Sequence, residues 1–354
     1  MLYQTENQHG GDVYGGGITL DFSANTNPLG TPPGVLEAVC RALPRLHRYP
    51  DPYCRRLVQA IAGHEQVPAS YVLCGNGAAD LIYTCCAALR PRTAVELAPT
   101  FGEYGAGLAQ VGCRVERYFL HQAQNFDLDE RFLSFLEEKK PEVVFLCNPN
   151  NPTGRLIPLP LLEQILQYCA AQGARLFLDE CFLDLTEDGV SAKSLLAAHP
   201  ELLILKAFTK SYGMAGIRLG YCLCADSALL RRMAAASQPW NVSSLAQSAG
   251  VAALAERDFL QRTLSLVRTE RRWLTDNLTA LGFWVCPSHA NYLLFRGPLG
   301  LREGLLQQGI AIRGCGNYNG LGDGWYRIAV RPHEENEALI TAIQQFCKEK
   351  SLWQ

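Results

Sequence analysis

The chain has 354 residues, 48% hydrophobic and 19% charged, which is enough apolar material for more than one core and excludes a disordered, collagen-like or small disulfide-held chain. Its 32 basic and 34 acidic residues give a net charge of -2, so it lacks the basic excess of a general nucleic-acid binder and a small-molecule ligand is expected instead. No apolar run approaches the ~18 residues of a membrane span, and the start MLYQTENQHGG lacks the order of a signal peptide, so a cytoplasmic protein without a membrane partner is expected.

The first 30 residues are rich in Gly and Asn and show no periodicity, which predicts an arm rather than an element. From residue 70 to 225, short apolar or β-branched runs alternate with helical patterns, as in βαβ units around a parallel sheet. Strands are predicted at 71–74, 93–97, 115–120, 142–147, 175–179, 202–208 and 219–224. A helix is predicted over 81–89, and an amphipathic one over 159–172, where Leu162, Ile165, Leu166 and Cys169 share a face and Gly173 ends it. Beyond about residue 245 the pattern changes: one long helical stretch, 245–281, leads to short strands at 290–295 and 325–330. The fold class is therefore α/β, a large domain with a mostly parallel sheet flanked by helices plus a smaller α+β domain. The expected division is an arm over 1–30, a large cofactor-binding domain over 31–245 and a small domain over 246–354. The 14 cysteines lie mostly in apolar segments without C-x-x-C or zinc-finger spacing, so reduced core thiols and no metal site are expected.

Four segments carry chemistry. Gly75-Asn76-Gly77-Ala78-Ala79-Asp80 joins a strand to a helix, so its backbone N–H groups suit a phosphate; the dinucleotide pattern G-x-G-x-x-G fails because position 80 is Asp. Asn148-Pro149-Asn150-Asn151-Pro152-Thr153-Gly154 follows a strand at the carboxyl edge of the sheet, where open α/β folds bind ligands. Asp179 ends an apolar strand, where a carboxylate needs a cation or a protonated ring nitrogen; a structural salt bridge is the alternative. Lys210 follows a strand and precedes a glycine-rich turn, a setting in which burial lowers an ammonium pKa and makes a Schiff-base nucleophile. The alternative is a surface lysine, yet of seven lysines this one is framed by Thr209, Ser211 and Arg218, a hydroxyl and a cation suited to a cofactor phosphate. In the tail, Arg327 and Arg331 stand four residues apart on one face of an extended strand, so both could approach one ligand, unless Arg331 makes a surface ion pair.

These segments, in this order and over nearly the whole chain, resemble the fold type I pyridoxal-phosphate enzymes. The resemblance implies pyridoxal 5'-phosphate bonded to Lys210, with Asp179 on the pyridinium nitrogen and Asn151 on the ring hydroxyl. Thr209, Arg218 and the Gly77, Ala78 and Ala79 backbone would hold the phosphate, and Tyr104 of F-G-E-Y would stack on the ring. Tyr49 of R-Y-P-D would reach the phosphate of a neighbouring subunit, implying a homodimer. Two branches share most motifs, the histidinol-phosphate aminotransferases and the threonine-phosphate decarboxylases of cobalamin biosynthesis. Features similar to the second are His9-Gly10-Gly11, the run Asp21 to Gly30, Phe182 where aminotransferases usually carry Tyr, Ala290-Asn291-Tyr292, and the tail around Arg327 and Arg331. That resemblance implies decarboxylation of a phosphoamino acid, with Asn25 and Arg327 positioning its carboxylate and His9 and Arg331 meeting its phosphate. Transamination, or a serine-phosphate substrate, is the alternative.

Overall fold

The computed structural model describes residues 9–350; the part of the predicted arm before His9 lies outside them. In chain order the strands are β1 (Leu20–Asp21), β2 (Val72–Gly75), β3 (Thr93–Ala98), β4 (Arg114–Phe119), β5 (Val143–Cys147), β6 (Arg175–Asp179), β7 (Leu202–Ala207), β8 (Gly220–Cys224), β9 (Trp284–Val285), β10 (Tyr292–Arg296), β11 (Ile310–Ala311), β12 (Arg313–Gly314) and β13 (Trp325–Ala329).

The large sheet has the order β2-β8-β7-β6-β5-β3-β4. β8 runs antiparallel to both its neighbours, while the pairs from β7 across to β4 are parallel. β5, β7 and β8 are buried along their whole length, as expected of strands covered on both faces. Alternate residues feed two cores. Val144 and Leu146 face Leu162, Ile165 and Leu166 of the helix Leu159–Gln172, whereas Phe145 and Phe177 face Leu81 and Ile82 of the helix Gly77–Leu89. Gly173 ends the first of these helices at φ +66°, the left-handed conformation that glycine takes without steric penalty.

The smaller unit packs an antiparallel sheet, β12-β13-β10-β9, against the helices Phe259–Ala280, Leu301–Gln307 and His333–Glu349 over a third core. Three expectations need correction. The helix at 81–89 starts four residues earlier, at Gly77, because the Asp80 carboxylate accepts the Asn76 N–H at 2.8 Å and draws the glycine turn into the first helical turn. The stretch 245–281 is two helices, Ser244–Ala253 and Phe259–Ala280, the first packed on the helix Pro33–Ala42 with Glu256 lodged against Gly34, and the second crossing to the small sheet. Within the arm, β1 pairs in parallel with β11, and the backbone of Phe22 bonds to Ala311 and Ala329, both at 2.8 Å. The arm is thereby stitched to the small sheet, with Phe22 fully buried. All 14 cysteines are free thiols, and 12 are buried.

Among the described residues no helix is long and apolar enough to cross a membrane. Asp179, Asn148 to Gly154, Lys210 and the Gly75 turn lie at or just beyond the ends of β6, β5, β7 and β2, and so gather at one edge of the sheet.

Candidate active site

Lys210 sits in a single helical turn, Phe208–Ser211, directly after β7. Its Nζ lies 5.5 Å over the ring of Phe182, which is itself packed edge-on to Tyr292. Burial lowers the ammonium pKa to about 8, and the cations of Arg327 and Arg218 push the same way. An amine so placed is an available nucleophile near neutral pH. Lys206, four residues earlier, is a different case: its Nζ pairs with Glu65 Oε1 at 3.0 Å and Asp184 Oδ1 at 2.8 Å. No local sequence pattern marks that cluster, whose members come from three separate segments. It supports the Lys210 turn from below, because Asp184 also accepts the Ser211 hydroxyl at 3.0 Å, and Asn27 of the arm donates to the Ser211 carbonyl at 2.7 Å.

The glycine turn forms a cradle. Gly77 has φ +85°, and a Cβ there would stand 2.7 Å from Arg218 Nη2, so the guanidinium lies directly over the first residue of the helix. The N–H groups of Gly77, Ala78 and Ala79 open that helix and have no intrahelical acceptor. Thr209 is buried beside the lysine. A phosphate dianion fits a helix start overlaid by a guanidinium.

Asp179 is 4% exposed, with Oδ2 accepting the Tyr104 hydroxyl at 2.6 Å and Oδ1 the Cys181 N–H at 2.9 Å. Burial pushes its carboxyl pKa up, against those two hydrogen bonds. No ion pair holds it among the described residues, so the salt-bridge alternative is not realised; a pyridinium N–H is the partner such a carboxylate fits. The stacking expected of Tyr104 is corrected. Its ring is fully buried, packed on Phe145 at 5.5 Å and on Phe177, so it braces Asp179 and offers no open face. The partly exposed ring beside it is Phe101, edge-on to Tyr104 at 5.6 Å.

Asn151 and Arg327 are brought together: Arg327 Nη1 donates to Asn151 Oδ1, and Nη2 to the Ser23 carbonyl at 2.9 Å. With its amide turned oxygen-inward, Asn25 accepts from Arg327 Nε at 3.2 Å. The arm, the large sheet and the small sheet therefore converge on one buried guanidinium. His9 also reaches the site's edge, its Nε2 2.7 Å from Glu103 Oε1 and its ring 5.9 Å from Phe101.

Arg331 departs from expectation. The strand ends at Ala329, and Arg331 Nε donates to Glu335 at 2.9 Å across the first turn of the last helix, which is the ion pair held open as its alternative. The second guanidinium opposite Arg327 is Arg313, its cross-strand partner in the β12–β13 register. Arg313 shares a cavity of about 820 Å³ with His9, Gly10 and Gly11 of the arm. Two directly opposed cations repel unless an anion joins them, and only the register of a two-residue strand could have disclosed the pair. Tyr49 is 79% exposed and stacked on Trp240 at 4.6 Å, outside its own chain's site.

The model of the family described as aminotransferase class I and II matches residues 18–343. A threonine-phosphate decarboxylase of Salmonella typhimurium is 40% identical over 92% of this chain and 90% of its own length. A histidinol-phosphate aminotransferase of Cupriavidus pinatubonensis is 32% identical, over 93% and 88%. Among solved structures, the histidinol-phosphate aminotransferase of Clostridium acetobutylicum superposes with a TM-score of 0.87 at 27% identity, covering 93% of this chain and 99% of that one. A guanidinium-covered helix start, a buried carboxylate without a cation and a lysine with lowered pKa fit the cofactor of that family, and the chain accordingly belongs to the aminotransferase class I and II family, of fold type I, with pyridoxal 5'-phosphate as its cofactor.

Proposed function

We propose that the protein removes the carboxylate of L-threonine O-3-phosphate as CO2, giving (R)-1-amino-2-propanol O-2-phosphate, a step of cobalamin assembly. The observation that carries this reading is the cross-strand pair Arg313 and Arg327 beside the His9 cavity, a set of cations suited to a substrate with two anionic groups. The 40% identity to a threonine-phosphate decarboxylase supports the same choice.

Bound pyridoxal phosphate supplies an electron sink for the pair left on the α-carbon when CO2 departs. Asp179, with Tyr104 behind it, would hold the ring nitrogen of the cofactor and stabilise positive charge there. Asn151, whose Oδ1 accepts from Arg327, would donate its amide N–H to the ring hydroxyl, so one amide would link the cofactor to the carboxylate-binding guanidinium. Arg327, held by Ser23 and Asn25, would bind the substrate carboxylate and fix its orientation. Lys210 returns the proton to the α-carbon. Phe182 beneath Lys210 Nζ gives an apolar wall with no competing hydroxyl donor. Arg313 and His9, which line one cavity, take the phosphate. Tyr49, exposed on its own chain, reaches the cofactor phosphate of a second copy in a homodimer.

Transamination of a phosphorylated amine is the second reading, favoured by the histidinol-phosphate aminotransferase relatives. Steady-state kinetics on O-phosphothreonine, threonine and O-phosphoserine, and on histidinol phosphate with 2-oxoglutarate, test the choice. The expected order places O-phosphothreonine first, with O-phosphoserine weaker by the ~1 to 3 kcal/mol of one buried methyl. Equal use of threonine and its phosphate, or preference for histidinol phosphate, refutes the proposal.

A further inference from the structure

We propose that Glu103 is a positioning residue which, braced by Tyr83, fixes the His9 imidazole against the substrate's phosphate; this rests on the phosphosubstrate reading above. Both oxygens of the Glu103 carboxylate are engaged. Oε1 lies 2.7 Å from His9 Nε2, and Oε2 accepts the Tyr83 hydroxyl at 2.7 Å. Glu103 opens the helix Glu103–Gln110, and Tyr83 belongs to the helix Gly77–Leu89, whose first turn is the cofactor's phosphate cradle. A continuous path thus runs from the cradle helix through Tyr83 and Glu103 to His9.

The arm's own sequence fits that placement. A Cβ on Gly10 would stand 2.1 Å from the Ser23 carbonyl oxygen, so glycine alone permits this approach. Gly11 N–H donates to Ser23 Oγ at 2.8 Å, and the same Ser23 presents its carbonyl to Arg327. The two residues after His9 are therefore anchored on Ser23, which also holds the carboxylate-binding guanidinium, and the His9 ring is anchored on Glu103. The contact with Glu103 Oε1 fixes the orientation of the imidazole, and with it the direction of the other ring nitrogen. Charged side chains lining the cavity beside His9 are Asp12, Arg302, Glu303, Arg313 and Asp323, so Arg302 and Arg313 are the cations that a phosphate held by a fixed His9 ring would meet there. The His9 contact keeps the Glu103 pKa low, and burial with Glu103 raises that of Tyr83 to about 12, so the hydroxyl remains a donor throughout the neutral range.

A four-member cycle on the holoenzyme tests the proposal: the unmodified protein, His9→Ala, Glu103→Gln and the double variant, with O-phosphothreonine as substrate. Glu103→Gln should raise KM about tenfold with kcat held within about twofold, since a charge-assisted contact is weakened away from the bond that breaks. The cofactor's absorbance spectrum should not change. In the His9→Ala background the same substitution should have no further effect. Tyr83→Phe, which removes only the bracing hydroxyl, should raise KM a few-fold, again only when His9 is present. Additive effects of Glu103→Gln and His9→Ala would overturn the positioning role and leave the phosphosubstrate reading intact. A His9→Ala variant with unchanged KM would overturn the phosphate assignment of His9, and the Glu103 role with it.

Discussion

Gly77→Ala separates two contributions that the cradle combines. The backbone at Gly77 has φ +85°, and placing a Cβ residue in that region costs about 1 to 2 kcal/mol. This strain is present with or without cofactor and so falls on folding stability. The new Cβ would also meet Arg218 at 2.7 Å from Nη2 and 3.1 Å from Cζ, and the guanidinium must move off the helix start. Its loss as a charged donor to the cofactor phosphate amounts to about 1.5 to 3 kcal/mol, or roughly 10- to 150-fold in affinity. Titration of the apoenzyme with pyridoxal phosphate, followed by absorbance, measures the second quantity, and urea unfolding of the apoenzyme measures the first. In an Arg218→Ala background the affinity loss from Gly77→Ala should nearly vanish, while the stability loss should remain. Unchanged cofactor affinity in the single variant, with Arg218 intact, would refute the assignment of Gly77 and Arg218 to the phosphate.

Capture of pyridoxal phosphate by the apoenzyme should quicken as pH rises and level off above about 8, because burial, aided by Arg327 and Arg218, lowers the Lys210 ammonium from its usual 10.5; a plateau reached only near 10.5 in stopped-flow absorbance would contradict this. Lys210→Ala should eliminate the yellow absorbance of the lysine-bound cofactor. Lys206→Met should destabilise the fold by about 1 to 3 kcal/mol in urea, since buried Glu65 is left with only Lys193 and the Tyr221 hydroxyl, and half-buried Asp184 loses its cation. In the unmodified chain, burial raises the Glu65 pKa, but Lys206, Lys193 and Tyr221 outweigh it and hold the group at about 2 against 4.5. The stability it contributes is therefore complete above pH 4.5 and disappears as pH falls toward 2, and Lys206→Met should move that acid transition upward. Tyr49→Phe should weaken cofactor affinity in a particle that light scattering shows to be a dimer; a fully active monomer would exclude the shared site.

The central strands were legible because parallel strands covered on both faces are unbroken apolar runs, as Val143 to Cys147 and Leu202 to Ala207 show. β1, β9, β11 and β12 have two residues each, too few to express any period, and β1 finds its partner 290 residues away. Lys210, Asp179, Asn151 and Arg218 could be named because each follows a strand in a distinctive local motif. Local motifs say nothing about register, however: spacing along the strand places Arg331 with Arg327, whereas the cross-strand neighbour is Arg313. Tyr104 likewise carried a stacking role that its complete burial precludes, and Phe101, three residues earlier in the same segment, holds the open position. The His9 to Glu103 contact spans 94 residues and depends on an arm that has no pattern of its own.

The proposed reaction breaks the bond between the α-carbon and the carboxylate of a phosphoamino acid. Incubating the holoenzyme with carboxyl-labelled L-threonine O-3-phosphate, with no oxo acid present, and counting the labelled CO2 released per active site tests it directly. A decarboxylase should release many equivalents of CO2, matched by an equal yield of aminopropanol phosphate. Retention of the label in the amino acid or its oxo-acid product, with turnover ending at one equivalent per site, would contradict it and identify an aminotransferase.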